Sequence, residues 1–128
     1  MLLLLCVVAL AAEDMPSWVL PGILAVETRS YYQDDGSIHY TDKRRGKAGE
    51  YGPFQMTRAA FRQVSRRGEP FWKLETDRVY AEDLAVRYLY HLRDRASSWE
   101  QAVQWYNRGP HHRATAYLRA VKRAGGAP

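Results

Sequence analysis

The chain has 128 residues, 46% hydrophobic and 26% charged, with 19 Lys and Arg against 14 Asp and Glu for a formal net charge of +5. That is room for one domain and too little for two, with enough apolar material for a core, so a disordered chain is excluded. The basic balance favours polyanionic partners (nucleic acid, an anionic membrane surface, or the teichoic acids and muramyl carboxylates of a cell wall) without choosing among them.

The run Met1 to Ala12 is apolar, carries no charge and ends in Ala9-Leu10-Ala11-Ala12 before Glu13 and Asp14. It is too short to span a bilayer, which takes roughly 20 apolar residues. The layout is that of a signal-peptide core with its cleavage site, although no Lys or Arg precedes it. Residues 1–12 are therefore expected to be a signal peptide, and 13–128 a single exported domain. A buried N-terminal helix is the competing reading, but the run lacks a polar face. Cys6 is the only cysteine and lies inside this run, so the mature chain is expected to hold neither disulfide nor thiol nucleophile.

Pro21 suits the first residue of a helix that carries Ile23 to Val26 and ends near Ser30. Asp34-Asp35-Gly36 is a turn signal, and Ser37 to Thr41 a short β-like run, so a hairpin or irregular segment follows this helix. Lys43-Arg44-Arg45-Gly46-Lys47 reads as a basic loop. Thr57 is placed to cap a helix through Ala60, Phe61 and Val64 to Gly68. Another starts near Asp77 and sets Tyr80, Leu84, Tyr88 and Leu92 on one stripe. Ser97 with Glu100 forms a capping box for a helix that reaches Tyr106 and is stopped by Gly109-Pro110. A last helix, about His112 to Ala124, turns Tyr117, Leu118 and Val121 inward and Arg113, Arg119, Lys122 and Arg123 outward. The expected fold is mainly α.

Three segments can carry chemistry. Glu27 follows four apolar residues at the C-terminal end of its helix, where the negative end of the helix dipole and apolar neighbours both raise a carboxyl pKa. A Glu so placed stays protonated near neutral pH, as a general acid must; a surface Glu paired with Arg29 is the alternative. Gly49 to Met56 forms a glycine-bracketed turn in which Gly52 permits close backbone approach and Gln55 can bond an amide such as an N-acetyl group. The alternative there is a tight loop whose amide is satisfied by backbone. Trp105 to Pro110 presents aromatic and amide groups at a helix end, which taken alone reads as a C-cap with buried aromatics.

The ordered set Glu27-Thr28, Gly52-Pro53-Phe54-Gln55-Met56 and Tyr106-Asn107-Arg108-Gly109 resembles the signature of the soluble lytic transglycosylase family, relatives of goose-type lysozyme. That family carries a Glu-Ser pair, a Gly-Leu-Met-Gln-like turn and a Tyr-Asn-x-Gly motif. The resemblance implies a lysozyme-like α fold and cleavage of the peptidoglycan bond between N-acetylmuramic acid and N-acetylglucosamine. Glu27 would protonate the glycosidic oxygen, then act as base on the muramyl 6-hydroxyl to close a 1,6-anhydro ring. It makes Glu27 and Tyr106 catalytic, and Thr28, Gly52, Gln55, Met56 and Asn107 substrate-binding; Glu50, beside the same turn, is expected among the substrate-binding residues by its position. No cofactor or metal is expected, since His39, His91, His111 and His112 show no metal-ligand spacing. The expected setting is periplasmic or secreted, the partner a peptidoglycan strand, the state a monomer with neither nucleic acid nor stable membrane insertion.

The sequence departs from the family pattern at Thr28 in place of Ser, at Pro53-Phe54 in place of Leu-Met, and at Glu50, an added carboxylate beside the turn. Glu50, Asp34 or Asp35 across the groove from Glu27 would make the enzyme an inverting hydrolase. Against that stand a salt bridge of Glu50 to Arg44, Arg45 or Lys47 and a plain turn role for the two aspartates. Two further readings are a non-catalytic glycan-binding domain of the same fold and a nucleic-acid-binding domain using the last basic helix.

Overall fold

The computed structural model describes residues 14–43 and 45–128; the signal-peptide run, Cys6 and Arg44 lie outside them. Six helices and one small antiparallel sheet make up the described chain: α1 (Val19–Thr28), β1 (Tyr31–Tyr32), β2 (Ile38–His39), α2 (Arg58–Val64), α3 (Lys73–Thr76), α4 (Arg78–Arg93), α5 (Trp99–Arg108) and α6 (Thr115–Ala124). The mainly helical expectation therefore holds, with the hairpin directly after α1. None of the described helices is long and apolar enough to cross a membrane.

α1 opens two residues earlier than the proline suggested, so Pro21 sits inside the first turn, where its missing N–H is still harmless. The helix ends where Arg29 turns left-handed at φ 57°, sending its own N–H and that of Ser30 back to the carbonyls of Ala25 and Leu24. In the hairpin Tyr31 pairs with His39 and Tyr32 with Ile38. The connecting turn is an Asx turn, with Asp35 Oδ1 accepting from the Ser37 N–H at 2.9 Å and Gly36 at φ 83°.

Thr57 caps α2 as expected, and Asp77, expected only as the start of a helix, caps α4, each side chain accepting an N–H three residues on. α2 stops at Val64, short of Gly68, because Ser65 is already extended. The capping box of α5 is shifted by one residue: Ser98 accepts the Gln101 N–H, and Gln101 Oε1 reaches back to the Ser97 N–H at 2.7 Å. α6 begins at Thr115, since His111 adopts φ 68° and Ala114 is non-helical. The single turn α3 has no counterpart in the sequence reading. It is too short for hydrophobic periodicity to mark it, and only Leu74 is buried.

The core gathers around α4, whose Leu84, Tyr88 and Leu92 are buried as one stripe, with Trp99, Phe54, Ile23 and Val121 packed about it. α1 and α6 run antiparallel at very short range. A Cβ on Gly22 would strike the Val121 carbonyl and lie 2.7 Å from the Val121 Cγ1, and one on Gly125 would strike the Trp18 carbonyl. This contact carries Tyr117, one turn before Val121, up against the Glu27 end of α1. Elsewhere Arg87 binds Glu69 at 2.6 Å and Asp83 at 2.6 Å, tying α4 to the loop after α2 and holding the Glu69 carboxyl down to about 2.

Candidate active site

The loop from Tyr51 to Met56 is closed on itself by a pair of backbone bonds between those two residues, 3.0 and 3.1 Å. Gly52 at φ 81° and Gln55 at φ 49° supply the left-handed backbone that so tight a turn requires. Three elements hold this loop. From α1, Thr28 Oγ1 donates to the Pro53 carbonyl at 2.9 Å. From α5, Tyr106 Oη donates to the Phe54 carbonyl at 2.7 Å. From α3, Glu75 Oε2 accepts the Gly52 N–H at 3.1 Å and the Tyr40 hydroxyl at 3.2 Å. The first of these heads a chain: the Thr41 N–H donates to Ser30 Oγ, Ser30 Oγ lies 2.7 Å from Thr28 Oγ1, and Thr28 passes its proton to Pro53. Buried hydroxyls in series polarise one another, so the clamp is stronger than separate bonds.

The clamp brings Glu27, Glu50, Gln55, Met56, Tyr106 and Asn107 around one pit of about 50 Å³. All six were expected at the site from the sequence. Thr28 and Gly52, also expected to touch substrate, do not line it. Thr28 is 2% exposed and its hydroxyl is committed to the clamp. Gly52 is a glycine for another reason: a Cβ there would strike the Leu74 carbonyl, so the close approach is to α3 and not to a ligand. Asp34 and Asp35 sit in the hairpin turn, outside the pit, in the turn role. Of the tyrosines near the loop and hairpin, Tyr40 is buried, Tyr51 contacts Phe71 (4.7 Å) and Arg45 (4.6 Å), and Tyr31 is exposed beside His39.

Burial raises the Glu27 carboxyl to about 7; the negative charge of Glu50 adds to the rise and the Tyr117 hydroxyl opposes it. Tyr117 is the functional residue the sequence reading placed only in the core. Its hydroxyl is buried without a partner at full hydrogen-bond geometry, yet it lies near enough to Glu27 to lower that carboxyl's titration point. Burial, then the Glu27 charge, hold both Tyr117 and Tyr106 well above the ordinary phenol range. Tyr106 is spent on Phe54 and cannot donate to Glu27 at the same time. Its contribution to Glu27 is therefore electrostatic, alongside the clamp it provides.

Glu50 is held by backbone: its Oε2 accepts the Ala48 N–H at 3.3 Å and its carbonyl accepts the Gly46 N–H at 3.3 Å. Among the described residues it forms no ion pair with Arg45 or Lys47. Gln55 donates its Nε2 to the Gly52 carbonyl at 3.0 Å, which leaves the amide oxygen facing the Gly46 side. No group of three or more His, Cys, Asp or Glu that could hold a metal occurs among the described residues. A far larger concavity, about 730 Å³, lies between the hairpin turn and the start of α4, and none of the expected site residues lines it. No family model matches the chain, and neither does any curated protein or solved structure.

Proposed function

We propose that the protein is a peptidoglycan-cleaving enzyme of lysozyme-like fold, acting in the cell envelope as a cofactor-free monomer. The observation that carries the reading is Glu27: a carboxyl raised to about 7 by burial, in a pit it shares with Gln55, Tyr106 and Asn107. A carboxyl protonated at neutral pH is the proton donor a glycosidic leaving oxygen requires. After donation the same group is a carboxylate, next to a buried phenol that stabilises the charge. It can then take the proton of the muramyl 6-hydroxyl as that oxygen closes on C1, leaving a 1,6-anhydromuramyl end.

The departures from the lytic transglycosylase pattern support the reading. At Pro53 and Phe54 the groups used by the clamp are backbone carbonyls, which any residue supplies. Thr28 retains the hydroxyl that a Ser would bring to the same bond. The direct test is digestion of purified cell walls by the full chain and by Glu27→Gln, with the fold checked by circular dichroism. Loss of all products in the variant is expected; equal activity removes the reading.

A second reading has one observation behind it. The pit is small, about 50 Å³, which suits a glycan-binding domain that has lost turnover. Wall binding by the unaltered chain with no soluble product would establish that reading instead.

A further inference from the structure

We infer that Glu50 is a second catalytic carboxylate, the base that delivers water to the glycosidic carbon and turns part of the reaction from ring closure to hydrolysis. The inference rests on the glycan-cleaving reading of Glu27 and assigns that site a second product.

Glu50 and Glu27 line the same pit, and the Glu50 charge adds to the rise at Glu27. The space beside them, about 50 Å³, has room for water, which needs roughly 10–15 Å³ of such space and two to four polar partners. Glu50, Gln55, Asn107, Tyr106, Tyr88 and Thr57 are the polar residues that surround it with Glu27. Elimination then singles out the base. Tyr106 and Tyr88 are held above the ordinary phenol range by burial, and a phenol that keeps its proton takes none from water. Amides accept no proton near neutrality. Among the described residues lining the pit, Glu50 is the one carboxylate besides Glu27.

Its surroundings keep it available for that work. Arg45 is turned over the Tyr51 ring at 4.6 Å, and among the described residues Glu50 forms no ion pair. The Ala48 N–H anchors one carboxylate oxygen. Gly46 leaves the space the carboxylate occupies, because a Cβ there would overlap Glu50 Oε2 and sit 2.9 Å from Gln55 Oε1. A loop built around a carboxylate that forms no ion pair among the described residues is poorly explained by stability alone.

The step balances without a further reactant. A water oxygen bonds to the muramyl C1 while Glu50 takes one of its protons. The bond from C1 to the glucosamine O4 breaks, and Glu27 gives its proton to O4. One water is consumed, and the products are a reducing muramic acid end and a free 4-hydroxyl.

The test compares the full chain with Glu50→Gln on purified cell walls, counting reducing and 1,6-anhydro muramyl ends by mass spectrometry. Each protein is assayed at its own optimum, because removing the Glu50 charge lowers the titration point of Glu27. Reducing ends are expected from the unaltered chain, and their ratio to anhydro ends is expected to fall by about tenfold or more in Glu50→Gln. An unchanged ratio, or anhydro ends alone from the unaltered chain, overturns the inference and leaves the Glu27 reading intact. Absence of all cleavage by the unaltered chain overturns both. Should Glu50→Gln lose turnover entirely, Glu50→Ala with added azide decides: a glycosyl azide on muramyl C1 supports the vacant base position. A folded, wall-binding variant that forms none overturns it.

Discussion

The pit around Glu27 and the concavity beside the hairpin differ in the opposite sense from what size would suggest. The hairpin concavity is the larger by an order of magnitude, about 730 Å³ against about 50 Å³, and carries Trp72 at 62% and Val79 at 81% exposure on its lining. Its charged groups are mostly paired close to home, Lys73 with Asp77 at 3.7 Å and Glu82 with the Tyr32 hydroxyl at 2.7 Å. The pit has little volume but a displaced carboxyl, an orphan buried phenol and a clamped loop. Volume measures what can be held, whereas burial of an ionisable group measures what can react, and on this molecule the two are separated.

The comparison breaks most easily at Glu27. Glu27→Gln is expected to lower wall cleavage by on the order of a thousandfold, since an amide supplies no proton, measured as release of soluble muropeptides. If the variant keeps more than a tenth of the activity, the pit is not the reactive region. The same substitution has a stability signature. The folded carboxyl, at about 7, holds a proton that the unfolded carboxyl gives up near 4.5, so Glu27 lowers stability progressively as pH rises through that window. Above neutrality Glu27→Gln is expected to be the more stable protein, by up to about 3 kcal/mol, with no difference below pH 4. Urea melts at both pH values check the sign.

Gly52→Ala is expected to cost roughly 2 kcal/mol or more, from the left-handed backbone and the overlap with the Leu74 carbonyl. Thermal melting reads that loss, and a neutral result would mean the loop is not held by α3. Thr28→Val is expected to lose about 1–2 kcal/mol by breaking the hydroxyl chain to Pro53. Because Thr28 lies outside the pit, KM should stay put while kcat falls, and a raised KM instead would return Thr28 to the substrate.

Tyr117→Phe tests the electrostatics more gently. Its hydroxyl opposes the rise at Glu27, so its removal should move the alkaline limb of the activity profile upward from about 7, with little change in stability. A downward move contradicts the assignment. The smallest effect is expected at Trp72→Ala, within about 0.5 kcal/mol in stability and twofold in cleavage, as for an exposed side chain away from the site. A larger loss of cleavage would join the hairpin concavity to the substrate path and erase the contrast between the two regions.

What the sequence determined by itself is local. The side-chain cap at Thr57, the helix start near Asp77, the stripe from Tyr80 to Leu92 and the stop at Gly109 are all set by neighbours within a turn or two, so they were readable in chain order. The grouping of Glu27, Gln55, Tyr106 and Asn107 was expected too, from the resemblance of three ordered segments to a family signature. Only the tertiary structure separated residues that line the pit from residues that build it. Thr28 adjoins Glu27 in sequence but points into the interior, because one residue along a helix turns the side chain by about 100°. Gly52 answers to α3, an element too short to announce itself. Tyr117 reads as one more apolar position of α6, and acquires a role only because glycines at 22 and 125 let that helix lie flush against α1. Glu50, which the sequence left between a surface ion pair and a second carboxylate, is brought into the pit by the closed loop that follows it. A carboxyl's pKa depends on what surrounds it in space, and the groups that fix that of Glu27 are its burial, Tyr117 and Glu50, which come from three distant stretches of the chain.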